Sequence, residues 1–337
     1  MKQLAIYDSD RRQRHRSWTD LGDDGLRRRA TAAANTRDPG ELWGLVEAYL
    51  FQSSGKGSHL SSHTLSTYRR GLLDLLNHWQ GVNLLRPGSR AGGSYVEDLE
   101  QVPFRIDNLA GEEIPRFRSP ATVNVKIAAA RTLYYALAWA GATTADPFKG
   151  LRSRKDPVPP WEKRQPYTTK EIDVLLQVAH DPADRVAILL GSHAGLRRHE
   201  TAGLRWEDIR FDARLIRVKG KGGYVESVGL SKRLLTALRS LQSVHETRKR
   251  RKARDGFIMP WGDKRMEQRF KELCKVAGVA YEGKGLHGLR HGAGTRMYRQ
   301  TRDLNQVQKH LRHKNITTTT IYAKLEDEAT RRTVEDW

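Results

Sequence analysis

Late in the chain, His310-Leu311-Arg312-His313 is followed by Lys314-Asn315-Ile316, four threonines from Thr317 to Thr320, and then Ile321-Tyr322, so that Tyr322 stands nine residues after His313. Upstream lie His287-Gly288-Leu289-Arg290 and Gly195-Leu196-Arg197-Arg198-His199-Glu200. Two arginines, two histidines and a tyrosine can together attack a phosphodiester. A phenolate is a competent nucleophile. Fixed guanidinium groups neutralise charge that builds on the non-bridging oxygens, and imidazoles donate further hydrogen bonds to the same phosphate.

Each fragment also has a plainer reading. Arg197 and Glu200 are three residues apart on one helix face, the spacing of an ordinary surface ion pair. His287 and Arg290 share a face in the same way. A zinc site built from His287, His291 and His313 lacks the Cys or Asp/Glu ligands that would complete it. Four consecutive threonines make a poor helix interior, so the stretch before Tyr322 reads as a turn.

The elements that must carry these residues follow from periodicity. Residues 1–38 are polar, with Arg11, Arg12, Arg14, Arg16 and Arg27-Arg28-Arg29, and read as a loosely ordered basic arm that has room for a short helix near Leu21 to Ala34. From 39 to 150 apolar residues recur at helical spacing: Leu42, Leu45, Val46, Tyr49, Leu50; then Leu65, Tyr68, Leu72, Leu75, Leu76, Trp79; then Val125, Ala129, Leu133, Leu137, Ala140. Arg86 to Arg118 is rich in Gly, Pro and Ser and reads as an excursion from this helical domain. Prolines 157, 159 and 160 mark residues 151–166 as a linker.

Beyond it, residues 167–337 form a second domain. Thr168 and Glu171 make a capping box that opens a helix, and Val186 to Leu190 is a buried helical run. Leu215, Arg217 and Lys219 alternate with Ile216 and Val218, glycines 220, 222 and 223 turn the chain, and Val225 to Val228 alternate back. This is a β-hairpin with Lys221 at its tip. The G-x-x-x-x-G-K-[ST] spacing of a nucleotide loop is absent. The fold class is therefore mainly α with a small antiparallel β-sheet.

The order and spacing of these fragments resemble the tyrosine recombinase (phage integrase) family, and the resemblance covers most of the chain from about residue 40 onward. It implies a helical core-binding domain and a catalytic domain that form a DNA clamp. It also implies catalytic roles for Arg197, Lys221, His287, Arg290, His313 and Tyr322, with Glu200 as the companion of Arg197. Tyr322 would attack a phosphodiester to give a 3′-phosphotyrosyl link, and Lys221 would protonate the departing 5′-oxygen. The link conserves bond energy, so no cofactor and no metal is implied. Members dock their C-terminal tail onto a neighbour in a tetramer, and here Leu325, Ala329, Val334 and Trp337 could anchor it. The free protein would be a monomer or weak dimer. The task would be integration and excision of a mobile element, or resolution of replicon dimers. A type IB topoisomerase and a non-catalytic DNA-binding protein are the alternatives.

Two features depart from the family pattern. Arg312 stands where a glycine usually precedes the histidine, which either restrains the backbone there or adds a DNA contact. Gly292 and Gly294 lie inside a helix, at a cost of about 1 kcal/mol each relative to alanine.

Composition agrees with a double-stranded DNA partner. The 337 residues carry a formal charge of +21, the footprint of a polyanion ligand. Arg69, Arg70, Lys126 and Arg131 in the first domain, and Arg248, Lys249, Arg251 and Arg312 in the second, are the expected DNA-contacting cations. The single cysteine, Cys274, excludes an internal disulfide framework and reads as a small buried helix residue. No apolar run suits a secretion signal or a membrane span, which leads to the expectation of a cytoplasmic, nucleoid-associated protein of a bacterium, phage or mobile element.

Overall fold

The computed structural model describes residues 15–53, 60–109, 112–159, 162–163, 165–220, 224–247 and 256–324. Lys221, Arg248, Lys249, Arg251 and the tail from Leu325 to Trp337 lie outside the described residues. The chain divides into two compact units, Met1–Pro157 and Val158–Trp337. Both are built from helices with small antiparallel sheets. Among the described residues, no helix is long and apolar enough to cross a membrane.

The first unit contains α1 (Asp23–Thr36), α2 (Pro39–Ser53), α3 (Ser62–His78), α4 (Ala91–Gln101), the hairpin β1 (Arg105–Leu109) and β2 (Glu112–Arg116), and α5 (Pro120–Trp139). Serines open the two long helices: Ser61 Oγ accepts from Thr64 N at 3.2 Å and Ser119 Oγ from Thr122 N at 3.3 Å. Pro120, in the first turn of α5, has no N–H to leave unsatisfied. Leu42, Leu45, Leu65, Leu72, Leu75, Leu133 and Leu137 are buried, as their spacing predicts. Val125 alone of the anticipated α5 stripe is exposed: Ala129, Leu133, Leu137 and Ala140 are buried, and Val123, Ile127 and Ala130 join them. Where α3 and α5 meet, a Cβ on Gly71 would lie 2.5 Å from that of Ala129, so only glycine permits this approach.

Two expectations are corrected here. The described part of the N-terminal arm, from His15, is not loose: Trp18 is 1% exposed, and Ala30, Ala33 and Ala34 of α1 are buried. Arg29 places its guanidinium 4.2 Å over the Trp18 ring. It also donates to Ser17 O at 2.7 Å and to both oxygens of Glu41, at 2.7 and 3.0 Å. Alanines pack closely but carry little hydropathy, and the arginines around them mask the pattern. The span Arg86 to Arg118 is likewise no simple excursion, because α4 buries Tyr95 and Leu99 in the core before the hairpin leaves it. Gly92 makes this possible, since a Cβ there would fall 1.9 Å from the Pro147 carbonyl oxygen.

The second unit contains α6 (Thr169–Val178), α7 (Pro182–Ser192), α8 (Arg198–Gly203), β3 (Ile209–Arg210), β4 (Leu215–Lys219), β5 (Val225–Gly229), α9 (Lys232–Thr247), α10 (Asp263–Ala277), α11 (Gly285–Thr301) and α12 (Leu304–Leu311). The capping box opens α6: Glu171 N donates to Thr168 Oγ1 at 3.2 Å, and Thr168 N to Glu171 Oε2 at 2.8 Å. β4 and β5 pair antiparallel, Ile216 opposite Val228, and β3 adds a short third strand on the other edge of β4. Cys274 is buried on α10.

The buried α7 packs against α11 through Gly191, where a Cβ would meet that of Leu289 at 2.9 Å. Gly292 of α11 faces backbone, 2.6 Å separating its would-be Cβ from the Tyr167 carbonyl oxygen. The interior glycines of α11 thus trade helix propensity for proximity. Trp18→Ala should lower the stability of the first unit by about 3–5 kcal/mol, the cost of truncating a buried large aromatic. A urea midpoint unchanged from wild type would show that the segment before α1 lies outside the core.

Candidate active site

The site is built at the start of α8. Gly195, at φ +61°, turns the chain in a conformation that favours glycine, and a Cβ there would strike Leu311 Cδ2 at 2.6 Å. Arg197 follows in extended conformation as the residue before α8. Glu200, in the first turn, reaches back to it twice. Glu200 Oε2 accepts from the Arg197 backbone N at 2.8 Å, and Oε1 accepts from Arg197 Nη1 at 2.8 Å. The carboxylate satisfies an orphan N–H at the helix start and fixes a guanidinium in one stroke.

Two further arginines converge on the same carboxylate. Arg290 Nη1 lies 3.9 Å from Glu200 Oε2. Arg312 Nη2 donates to that oxygen at 2.9 Å. The Arg290 guanidinium also donates to the carbonyl oxygens of Gly195 and Leu311. Both side chains are almost fully buried, whereas that of Arg197 is 35% exposed and forms the open side of the cluster. Three guanidinium groups against one carboxylate leave a surplus of positive charge, and that surplus makes the cluster a site for an anion.

Electrostatics follow from this crowding. Burial pushes the Glu200 carboxyl up, but the backbone N–H of Arg197 and the charges of Arg312 and Arg197 outweigh it and hold the group down at about 2. Burial, and then the neighbouring Arg197 and Arg312, lower Arg290 to about 9. Burial and the charges of Arg290 and Arg197 depress His313 to about 4, so its imidazole is neutral at pH 7.

Tyr322 lies in a helical turn after the threonines and is 1% exposed. Its ring stacks at 12° on that of His313, with centroids 6.4 Å apart. His313 Nδ1 is 3.0 Å from Thr319 Oγ1, so the threonine turn orients the imidazole. Gly294 of α11 makes room for the phenol: a Cβ there would lie 2.4 Å from Tyr322 Cζ. Tyr322 Oη is 3.4 Å from His291 Nδ1, and the His291 ring in turn meets His287 edge-on at 4.7 Å. Burial raises the phenol well above its ordinary range, while Arg290 and Arg197 pull it back.

Arg197, Glu200, Arg290, His313 and Tyr322 are thus drawn together, with His287 joined to them through His291. Sequence reasoning met His291 only as a possible zinc ligand; its spacing of four from His287 on α11 was the signal for a shared face. Among the described residues, no three His, Cys, Asp or Glu side chains come together as a metal site. Lys221 lies outside the described residues, between the ends of β4 and β5.

The expected DNA-contacting cations separate into different kinds. Arg69 and Arg70 are exposed on α3. Lys126 is half-buried, with Nζ 2.5 Å from Asp74 Oδ2. Arg131 is turned inward: its guanidinium donates to Phe148 O at 3.0 and 2.9 Å and to Leu151 O, and so fastens the chain that follows α5. Arg312 is corrected in the same sense, since its side chain is buried against Glu200 instead of facing a ligand. Charge counting treats every arginine as surface, but a guanidinium with carbonyl or carboxylate partners can end a helix from within.

The phage integrase family matches residues 167–329. The tyrosine recombinase XerC of Xanthomonas campestris pv. campestris is 28% identical over 277 residues, covering 79% of this chain and 80% of that protein. XerC of Xylella fastidiosa is 28% identical over 275 residues, covering 79% and 87%. Among solved structures, the Tn1549 transposon integrase in complex with transposon right end DNA has a TM-score of 0.63 at 19% identity, covering 86% of this chain and 99% of that one. A lambda integrase tetramer bound to a Holliday junction has a TM-score of 0.62 at 17% identity, covering 83% and 76%. These structures share the fold.

The depressed Glu200 carboxyl makes a pH prediction. A folded value below the unfolded one, about 4.3, adds stability that is complete above that value and disappears as pH falls toward about 2. Glu200→Gln should therefore melt below wild type at pH 7, with the gap closing between about pH 4.5 and 2. A gap independent of pH in thermal unfolding would show that the carboxylate is not held charged by its neighbours.

Proposed function

We propose that this chain, whose residues 167–329 match the phage integrase family and which is 28% identical to a tyrosine recombinase XerC, is a site-specific DNA recombinase whose nucleophile is Tyr322. The observation that carries this reading is the stacking of Tyr322 on His313 beside the Arg197–Glu200–Arg290 cluster. Tyr322 Oη attacks the scissile phosphorus, the bond to the 5′-oxygen breaks, and a 3′-phosphotyrosyl link and a 5′-hydroxyl result. Arg197 and Arg290 neutralise the non-bridging oxygens as charge builds on them. His313 and His287 add hydrogen bonds to the same phosphate, and His291 Nδ1 is the nearest acceptor for the phenol proton. The 5′-oxygen takes a proton from Lys221, the hairpin lysine.

The same reading assigns the helical first unit to core-site binding, with Arg69 and Arg70 on its DNA face, and the second unit to catalysis. Arg248, Lys249 and Arg251 are assigned to phosphate contacts, and the charge of +21 suits a long backbone footprint. Assembly as a tetramer on DNA is supported by the likeness to the lambda integrase tetramer on a Holliday junction. In that assembly the tail from Leu325 to Trp337 would couple neighbouring protomers.

Tyr322→Phe should abolish covalent attachment on a nicked suicide duplex and leave gel-shift affinity nearly intact, because only the nucleophilic oxygen is lost. Undiminished adduct would move the nucleophile to another residue, Tyr298 being the nearest rival. Gly294→Ala should cut adduct formation by about tenfold or more, since its Cβ displaces the Tyr322 ring and misplaced reacting groups are slow. A normal rate would show that the packing of the ring against α11 has no part in presenting the phenol. Relaxation of supercoils without strand exchange between two sites would favour a topoisomerase over a recombinase.

A further inference from the structure

Arg312 occupies the position where the family resemblance anticipates a glycine, and its backbone shows why. It ends α12 at φ 56° and ψ 49°, the left-handed region that glycine enters freely and an arginine does not. Both terminal nitrogens of the strained residue are engaged inside the protein, while its buried Nε has no hydrogen-bond partner among the described residues. Arg312 Nη1 donates to Ala194 O at 3.4 Å and His310 O at 3.1 Å; Nη2 donates to Gly195 O at 3.2 Å and Glu200 Oε2 at 2.9 Å. Its side chain is 3% exposed, so it stands behind the site and does not touch a bound DNA strand.

Glu200 has two oxygens to share. Oε1 holds Arg197 Nη1, while Oε2 holds the Arg197 backbone N and Arg312 Nη2, with Arg290 Nη1 left at 3.9 Å. Without Arg312, the nearest cation able to close on Oε2 is Arg290. A closed Arg290–Glu200 pair would spend the charge of Arg290 inside the protein and loosen the claim of Glu200 on Arg197.

We infer that Arg312 is a positioning residue for the transesterification: it occupies Glu200 Oε2, steadies the carboxylate on Arg197, and keeps Glu200 from closing on Arg290, whose guanidinium stays available to the scissile phosphate. The inference rests on the recombinase reading and assigns to it a residue that the glycine pattern leaves without a role. Arg312 acts through the two arginines, so its effect scales with the negative charge on the non-bridging oxygens.

That dependence supplies the test. Covalent adduct formation is timed for wild type and Arg312→Gly on two nicked duplexes carrying the protein's own cleavage site. One has an ordinary scissile phosphate and the other a methylphosphonate, in which a methyl group replaces a charged oxygen. Arg312→Gly relieves the backbone strain, so its fold is favoured locally, and its rate on the neutral substrate reports that it is intact. The expected result is a loss of about tenfold to a hundredfold on the phosphate, the scale of misplaced catalytic groups, and a much smaller loss on the methylphosphonate. Equal losses on both substrates, or no loss on either, overturn the positioning role. Absence of adduct with wild-type protein on any duplex strikes the recombinase reading itself, a result distinct from either.

Discussion

The buried carboxylate of Glu200 is the interaction around which the second unit is arranged. A carboxylate removed from water must find cations and donors, and buried guanidinium groups must find acceptors. Glu200 answers both needs, since it accepts from Arg197 and Arg312 and stands beside Arg290. These residues come from α8, from the end of α12 and from α11, far apart in the chain. The carbonyl oxygens of Gly195 and Leu311 complete the arrangement by taking the donors of Arg290 that the carboxylate does not. Tying three segments to one group fixes their separations, and a phosphate would then meet donors that need not reorganise.

Close backbone approach is the second constraint. Gly195, Gly191, Gly292 and Gly294 each sit where a Cβ would collide with Leu311, Leu289, Tyr167 and Tyr322 respectively. Three of these four serve α11, the helix that carries His287, Arg290 and His291. The helix gives up propensity at two interior positions, and in return it lies near enough to α6 and the Tyr322 turn for its arginine and histidines to reach the site. The phenol is buried by the same packing, so its high affinity for its proton and its proximity to two arginines have one origin.

The site was legible in the sequence because its chemistry is carried by rare combinations in a fixed order, and Arg197, Glu200, Arg290, His313 and Tyr322 do meet. The β4–β5 hairpin and the helices of both units were legible through periods of two and of 3.6. What could not be read shares one cause, that hydropathy and charge are assigned residue by residue. Ala30, Ala33 and Ala34 are core because a helix can approach them closely, and Arg29 belongs to that core through the Trp18 face. Arg131 and Arg312 count as surface charge until their carbonyl partners, distant in sequence, are known. Helix α4 was hidden among glycines, one of which is present for tight packing and not for a turn.

In the proposed reaction this cluster delivers Tyr322 to a phosphodiester. The most direct test is to trap the wild-type protein on a nicked duplex, digest the DNA and the protein, and identify the nucleotide-bearing peptide by mass spectrometry. The expected product is a nucleotide on Tyr322, attached through its 3′-phosphate. A nucleotide on Tyr298 or any other side chain, or attachment through a 5′-phosphate, would contradict the proposed reaction.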